Sequence, residues 1–142
     1  MSLGANHKLD LIKAVPLFEH CSKQDLQHIA RIADELDLRS GKTLIKEGER
    51  GREFFVIVSG EVEVRRKGRK IATLGAGAFV GEMALLSKAP RNATVTATTD
   101  LDVLVITDRA FLDLMDRNPD LWHKVARALA ERVGDNELGN PR

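Results

Sequence analysis

The stretch Phe79-Val80-Gly81-Glu82-Met83-Ala84-Leu85-Leu86-Ser87-Lys88-Ala89-Pro90-Arg91-Asn92-Ala93-Thr94-Val95 passes from a strand-like end, through a glycine, into one short helical burst. Lys88-Ala89-Pro90 breaks it, and Arg91-Asn92 leads into the alternation Ala93–Thr98. A glycine ahead of a helix lets backbone amides come close to a ligand, because no Cβ intervenes. The first amides of such a helix lack partners inside it, and its dipole favours negative charge there. Arg91 follows the loop and reaches the same point with a planar, permanently charged fork. Glu82, in the first turn, offers a carboxylate that accepts hydrogen bonds from hydroxyls. An anion site beside a hydroxyl-binding carboxylate suits a sugar phosphate of low charge.

Outward from this stretch the chain reads as short strands separated by glycines. Strands are predicted at Glu35–Leu38, Thr43–Lys46, Phe54–Val58, Glu61–Arg66, Lys70–Leu74, Asn92–Thr98 and Leu101–Ile106. Many short strands with glycine turns between them suggest a sandwich or barrel. Helical spacing appears only at the two ends. Leu9, Leu11, Ile12 and Val15 define a first helix that Pro16 ends. Ser22, with Asp25 three positions on, reads as the cap of a second helix with Leu26, Ile29, Ala30 and Ala33 inward. After the strands, Asp108 caps Arg109–Arg117, with Phe111, Leu112 and Met115 inward. Pro119 opens a last helix with Leu121, Trp122, Val125, Leu129 and Val133 at helical spacing, and Gly134 is expected to stop it. Trp122 is expected to pack inward, on the barrel or on the preceding helix.

The motif Phe79-Val80-Gly81-Glu82-Met83-Ala84-Leu85-Leu86, followed by Pro90-Arg91-Asn92-Ala93-Thr94-Val95, resembles the phosphate-binding cassette of cyclic nucleotide-binding domains. Arg39–Glu49 and Phe54–Val64 resemble the early strands of the same family, so the likeness covers about Pro16 to Val133. It implies a mainly β fold, an antiparallel jelly-roll β-barrel with N-terminal and C-terminal helices. The expected layout is a tag or disordered start at 1–6, the domain at 7–133 and a flexible tail at 134–142. The resemblance also implies roles. Glu82 would hold the ribose 2′-hydroxyl and Arg91 the cyclic phosphate, with Gly81 and the amides of Ala84, Leu85 and Asn92 completing the cradle and Ala93 following in the motif. Val64, Ile71, Ala72 and Val80 align with positions lining the sugar and base pocket. The family closes its pocket with a lid, for which Arg132 and Asn136 are the candidates. Asn92 stands where alanine, serine or threonine is commoner, which leaves base selectivity open; cAMP is favoured over cGMP.

Composition sets the outer bounds. A 142-residue chain with a formal net charge of +1 is of single-domain size and carries no global field that recruits nucleic acid or an acidic membrane. A lone cysteine, Cys21, excludes an internal disulfide framework and fits a reducing, cytoplasmic compartment. No apolar run approaches a membrane span. No helix pair after residue 133 offers a DNA reader. Gly75, Gly77 and Gly81 are spaced GxGxxxG between strands, so a dinucleotide fingerprint fails. Arg65-Arg66-Lys67-Gly68-Arg69-Lys70 reads as a charged hairpin tip that keeps an edge soluble, with phosphate contact as the weaker reading.

Three functions are compatible with these residues. The first is a sensor module whose C-terminal helices move on binding nucleotide and signal to a regulated partner domain or subunit outside this chain, with a homodimer through the last helix as an option. The second is a degenerate version of the fold that only docks or dimerises. Intact Glu82 and Arg91 argue against it, although the pair could also be a structural ion pair of little worth. The third is a cupin-like metalloenzyme, which needs histidines on strands; His7, His20, His28 and His123 all fall in or beside predicted helices. No catalytic triad or P-loop lysine is present, so no enzyme and no metal are expected.

Overall fold

A computed structural model describes residues 4–137, apart from the side chains of 5 and 132–137. The alternating segments form eight strands: β1 Asp34–Leu38, β2 Thr43–Ile45, β3 Glu53–Ser59, β4 Val62–Arg66, β5 Arg69–Leu74, β6 Phe79–Val80, β7 Thr94–Ala97 and β8 Leu101–Thr107. All the predicted strands are present, displaced by at most two residues at either end. The pairings are nested, with β4 beside β5, β3 beside β6, β2 beside β7 and β1 beside β8, every one antiparallel. A long hairpin rolled up on itself gives this nesting, and it is the topology of a jelly roll. The strands divide into two four-stranded sheets, β1-β8-β3-β6 and β2-β7-β4-β5. The fold is therefore a jelly-roll sandwich; among the described residues no pairing closes it into a barrel. Gly41 and Gly77, with φ of 92° and 88°, lie where the chain passes from one sheet to the other.

Period-two alternation puts the core between the sheets. Phe55 and Ile57 of β3 and Val103 and Val105 of β8 meet Val62 and Val64 of β4. On β3 and β8 the intervening residues Phe54, Val56, Leu104 and Ile106 are buried as well. These two strands read as continuous apolar runs for that reason.

The segments before Ala33 and after Arg109 form a second, helical unit. It holds α1 (Ala5–Lys13), a 3-10 turn (Pro16–Phe18), α2 (Lys23–Ile32), most of α3 (Asp108–Arg117) and α4 (Pro119–Glu137). The expected capping box is present: Ser22 N donates to Asp25 Oδ2 at 2.9 Å and Asp25 N to Ser22 Oγ at 3.1 Å. Asp25 also takes Lys124 Nζ at 2.6 Å, tying α2 to α4, and the rings of Phe18 and Phe111 lie 6.1 Å apart.

Three helix expectations are corrected. Leu112 is 45% exposed and Leu114 is buried in its stead. Trp122 is 40% exposed, while Leu121, Val125 and Ala128 face inward. In both helices several apolar stripes fit the helical period, and packing selects the one centred a residue away. Gly134 does not end α4, which runs to Glu137. A glycine stops a helix when it turns left-handed; within a helix it costs only about 1 kcal/mol relative to alanine.

One strand pair carries a titration. Asp102 of β8 lies opposite Asp37 of β1. Burial, then a hydrogen bond to Glu35 and the charges of Glu35 and Asp37, lifts its carboxyl from 3.8 to about 6. Between those values the folded chain keeps a proton that the unfolded chain has released. The stabilisation is thus complete below 3.8 and lost as pH rises through about 6. Asp102→Asn should raise the melting temperature at neutral pH and flatten its decline between pH 3.8 and about 6. An unchanged melting profile in the variant would refute the assignment.

Candidate functional site

The site begins where β6 ends. Val80 pairs with Phe55 of β3, and Gly81 then turns left-handed with φ 80°. Its ideal Cβ would lie 2.7 Å from Arg91 Nη1 and 3.0 Å from Glu53 O, so glycine is favoured there and any larger residue is strained. Glu82–Leu85 follows as a single 3-10 turn, the short helical burst expected there. Within it Leu85 is buried and Glu82 is 5% exposed. Among the described residues, Glu82 is the one buried polar or charged side chain. Carboxylates are rarely placed so, because removing one from water is costly.

Arg91 is held from both ends. Its backbone is pinned to the turn after β2, with Gly48 N donating to Arg91 O at 2.8 Å and Arg91 N to Glu49 O at 2.9 Å. Its guanidinium donates through Nη2 to Glu53 O at 2.6 Å and through Nη1 to Gly81 O at 3.3 Å. Gly51 lies directly against it, since a Cβ there would fall inside the guanidinium. Burial lowers the Arg91 pKa and the Glu53 charge opposes that shift, while the group stays cationic. Gly81 O also accepts the Ala84 amide at 3.0 Å, so one carbonyl joins the cassette turn to the arginine.

The neighbouring residues are fixed by the same sheet. Arg66 Nε donates to Asn92 O at 3.0 Å, and Glu47 N to Thr94 Oγ1 at 3.0 Å. Val64 sits in register between Ala72 of β5 and Val95 of β7. Val64, Ala93, Ala72 and Val80 all belong to the core between the sheets. Ile71 does not join them. The pairing slips between Val64 and Arg65, so Ile71 is the extra residue of a bulge and stays 50% exposed. The side chains of Arg132 and Asn136 lie outside the described residues, although α4 does pass Gly134 and carries position 136. Gly51 and Glu53 were not singled out in the sequence. Glu53 acts here through its main-chain carbonyl, which leaves no side-chain signature, and Gly51 looked like one turn glycine among several.

Residues 35–118 match the family model described as "Cyclic nucleotide-binding domain". The chain belongs to that family. The domain that this family describes is a regulatory sensor and not a catalytic domain. The cAMP-dependent protein kinase regulatory subunit of Mycosarcoma maydis is 43% identical over 113 residues, 71% of this chain and 21% of the relative. The cGMP-dependent protein kinase of Toxoplasma gondii is 32% identical over 132 residues, 93% of this chain and 13% of the relative. The N-terminal domain of a transcriptional regulator from Streptomyces coelicolor A3(2) superposes with a TM-score of 0.82 at 27% identity, covering 92% of this domain and 96% of that chain. The domain spans 13% to 41% of the length of the curated relatives it matches. No helix among the described residues is long and apolar enough to cross a membrane.

Gly81→Ala should lower the unfolding free energy by about 1–2 kcal/mol, from left-handed strain alone, and by more if Ile45 and Arg91 cannot move aside. Urea denaturation measures this. A variant as stable as the parent would mean that the turn has another conformation.

Proposed function

We propose that this domain binds a cyclic purine mononucleotide, cAMP in preference to cGMP, as the sensing module of a larger regulatory protein. The observation that carries the reading is the meeting at Gly81. There a left-handed glycine, a buried carboxylate at Glu82 and the Arg91 guanidinium share one short turn. Glu82 would accept the ribose 2′-hydroxyl and Arg91 would pair with the cyclic phosphate. Backbone amides of Ala84, Leu85 and Asn92 would complete the cradle, beside a wall of Val64, Ala72, Val80 and Ala93. Ile71, exposed on its bulge, would meet the ligand from the edge of the pocket. Likeness to a cAMP-dependent kinase subunit supports the first ligand, and likeness to a cGMP-dependent kinase keeps the second as the comparison. Arg132 or Asn136 on α4 would supply the lid.

In this reading the ligand draws the Glu82–Ser87 segment around the phosphate and shifts the C-terminal helices. The effect on a partner domain or subunit equals the ligand's differential affinity for the two arrangements. The setting is the cytoplasm, with no DNA contact from this chain itself. Pairing of two copies through α4 belongs to the same proposal.

Calorimetry with cAMP and cGMP tests it. Saturable heat with either is expected, tighter with cAMP; no heat from folded protein would leave a docking module as the remaining reading. Arg91→Ala should weaken nucleotide binding about a hundredfold, because two charge-assisted hydrogen bonds to the phosphate are lost. Unchanged affinity would show that the phosphate lies elsewhere.

A further inference from the structure

Arg91 has a second face. It also lines a cleft of about 540 Å³ formed by the loop Glu49–Glu53, strand β2 and the end of β8 into the first residues of α3. Glu82 and the pocket residues Val64, Ala72 and Val80 are not part of this cleft. Its lining carries five cations against three acids, although the whole chain has a net charge of only +1. Two of the acids are committed. Lys46 and Glu49 form an ion pair at 3.9 Å, and the Glu53 charge acts on Arg91. Among the described residues, no ion pair or hydrogen bond engages the side chains of Arg50, Arg52 or Arg109, and only Asp108 remains to offset them. Leu44 and Ile45 supply apolar lining. A volume in the small-ligand range, with three uncommitted guanidinium forks around it, is suited to planar, multiply charged oxyanions.

We propose that this cleft is a second anion site, taking a small ligand with two or more phosphate or carboxylate groups. The cleft and the nucleotide cassette share Arg91. The coupling therefore rests on the proposed nucleotide site: an anion in the cleft holds the guanidinium on the Gly51 side and competes with the cyclic phosphate for it. By linkage, each ligand weakens the other by the same factor. Arg52 and Arg109 determine occupancy of the cleft without touching the cassette.

The test is calorimetric titration of the 142-residue chain with pyrophosphate, alone and with cAMP. Saturable pyrophosphate binding is expected. The double variant Arg52→Gln/Arg109→Gln should lose about tenfold or more in pyrophosphate affinity and keep its cAMP affinity. Saturating pyrophosphate should weaken cAMP binding to the parent chain and not to the variant. Arg50→Gln, at an exposed loop position, serves as an independent variant should the double one fail to fold, with a smaller loss in the same direction. Absence of saturable pyrophosphate binding overturns the site. So does pyrophosphate binding that survives these changes and is abolished by Arg91→Ala, because the anion would then occupy the cassette. Pyrophosphate binding of the expected kind without any cAMP binding would uphold the cleft and reject the nucleotide reading and its coupling.

Discussion

The site depends on one half-buried positive charge resting on main-chain carbonyls. Arg91 donates to Glu53 O and Gly81 O while its guanidinium lies against Gly51. Carbonyl oxygens satisfy its donors but do not cancel its charge, and a desolvated cation attracts any anion that can reach it. The arrangement requires residues 38 and 10 positions away in the chain to come together at one point. The nested strand order does this. β3 pairs with β6, which brings Glu53 and Gly81 to the same end of one sheet. The backbone bonds of Arg91 to Gly48 and Glu49 then fasten the strand of the other sheet beside them.

Around that point the local rules of folding are broken in several ways together. Glu82 is a buried carboxylate, Gly81 takes a conformation closed to other residues, and a guanidinium is packed where a Cβ would otherwise stand. Much of the rest of the same unit is regular, the acidic cluster at Asp102 apart. Valines and isoleucines alternate into the core, and the charged hairpin tip stays in solvent, with Arg65 paired to Glu63 at 2.8 Å. Several departures that meet at one turn are what marks it as the candidate site.

Much of this was legible in the sequence. The strands were, because β4 and β7 alternate while β3 and β8 read as short apolar runs between turn residues, and both patterns are local. Gly81, Glu82 and Arg91 were legible as a group, since they lie within one short segment whose spacing carries the family pattern. What escaped was decided by contacts distant in sequence. Trp122 and Leu121 fit the same helical stripe, and only packing shows which turns inward. Ile71 aligned with Ala72 as pocket lining, and the bulge that frees it from the pairing has no residue signature. Gly51 takes its meaning from a side chain forty residues later. The expected jelly roll is present as two four-stranded sheets, because nested pairing fixes neighbours without requiring that the outermost strands meet.

Gly81 O is shared between the Arg91 guanidinium and the Ala84 amide. Any anion that draws Arg91 off its seat leaves two carbonyls short of a donor, but unequally. Gly81 O keeps the Ala84 amide at 3.0 Å, so the cassette turn remains hydrogen-bonded. Glu53 O gives up a bond of 2.6 Å, the shorter of the two, and the cost falls on the loop at Gly51–Glu53. That loop is where Arg52 O accepts the amide of Asp108, the first residue of α3, at 2.7 Å. A displaced Arg91 would therefore free an acceptor beside this junction as well as loosening the Gly81 turn, where the Ala84 amide remains bonded.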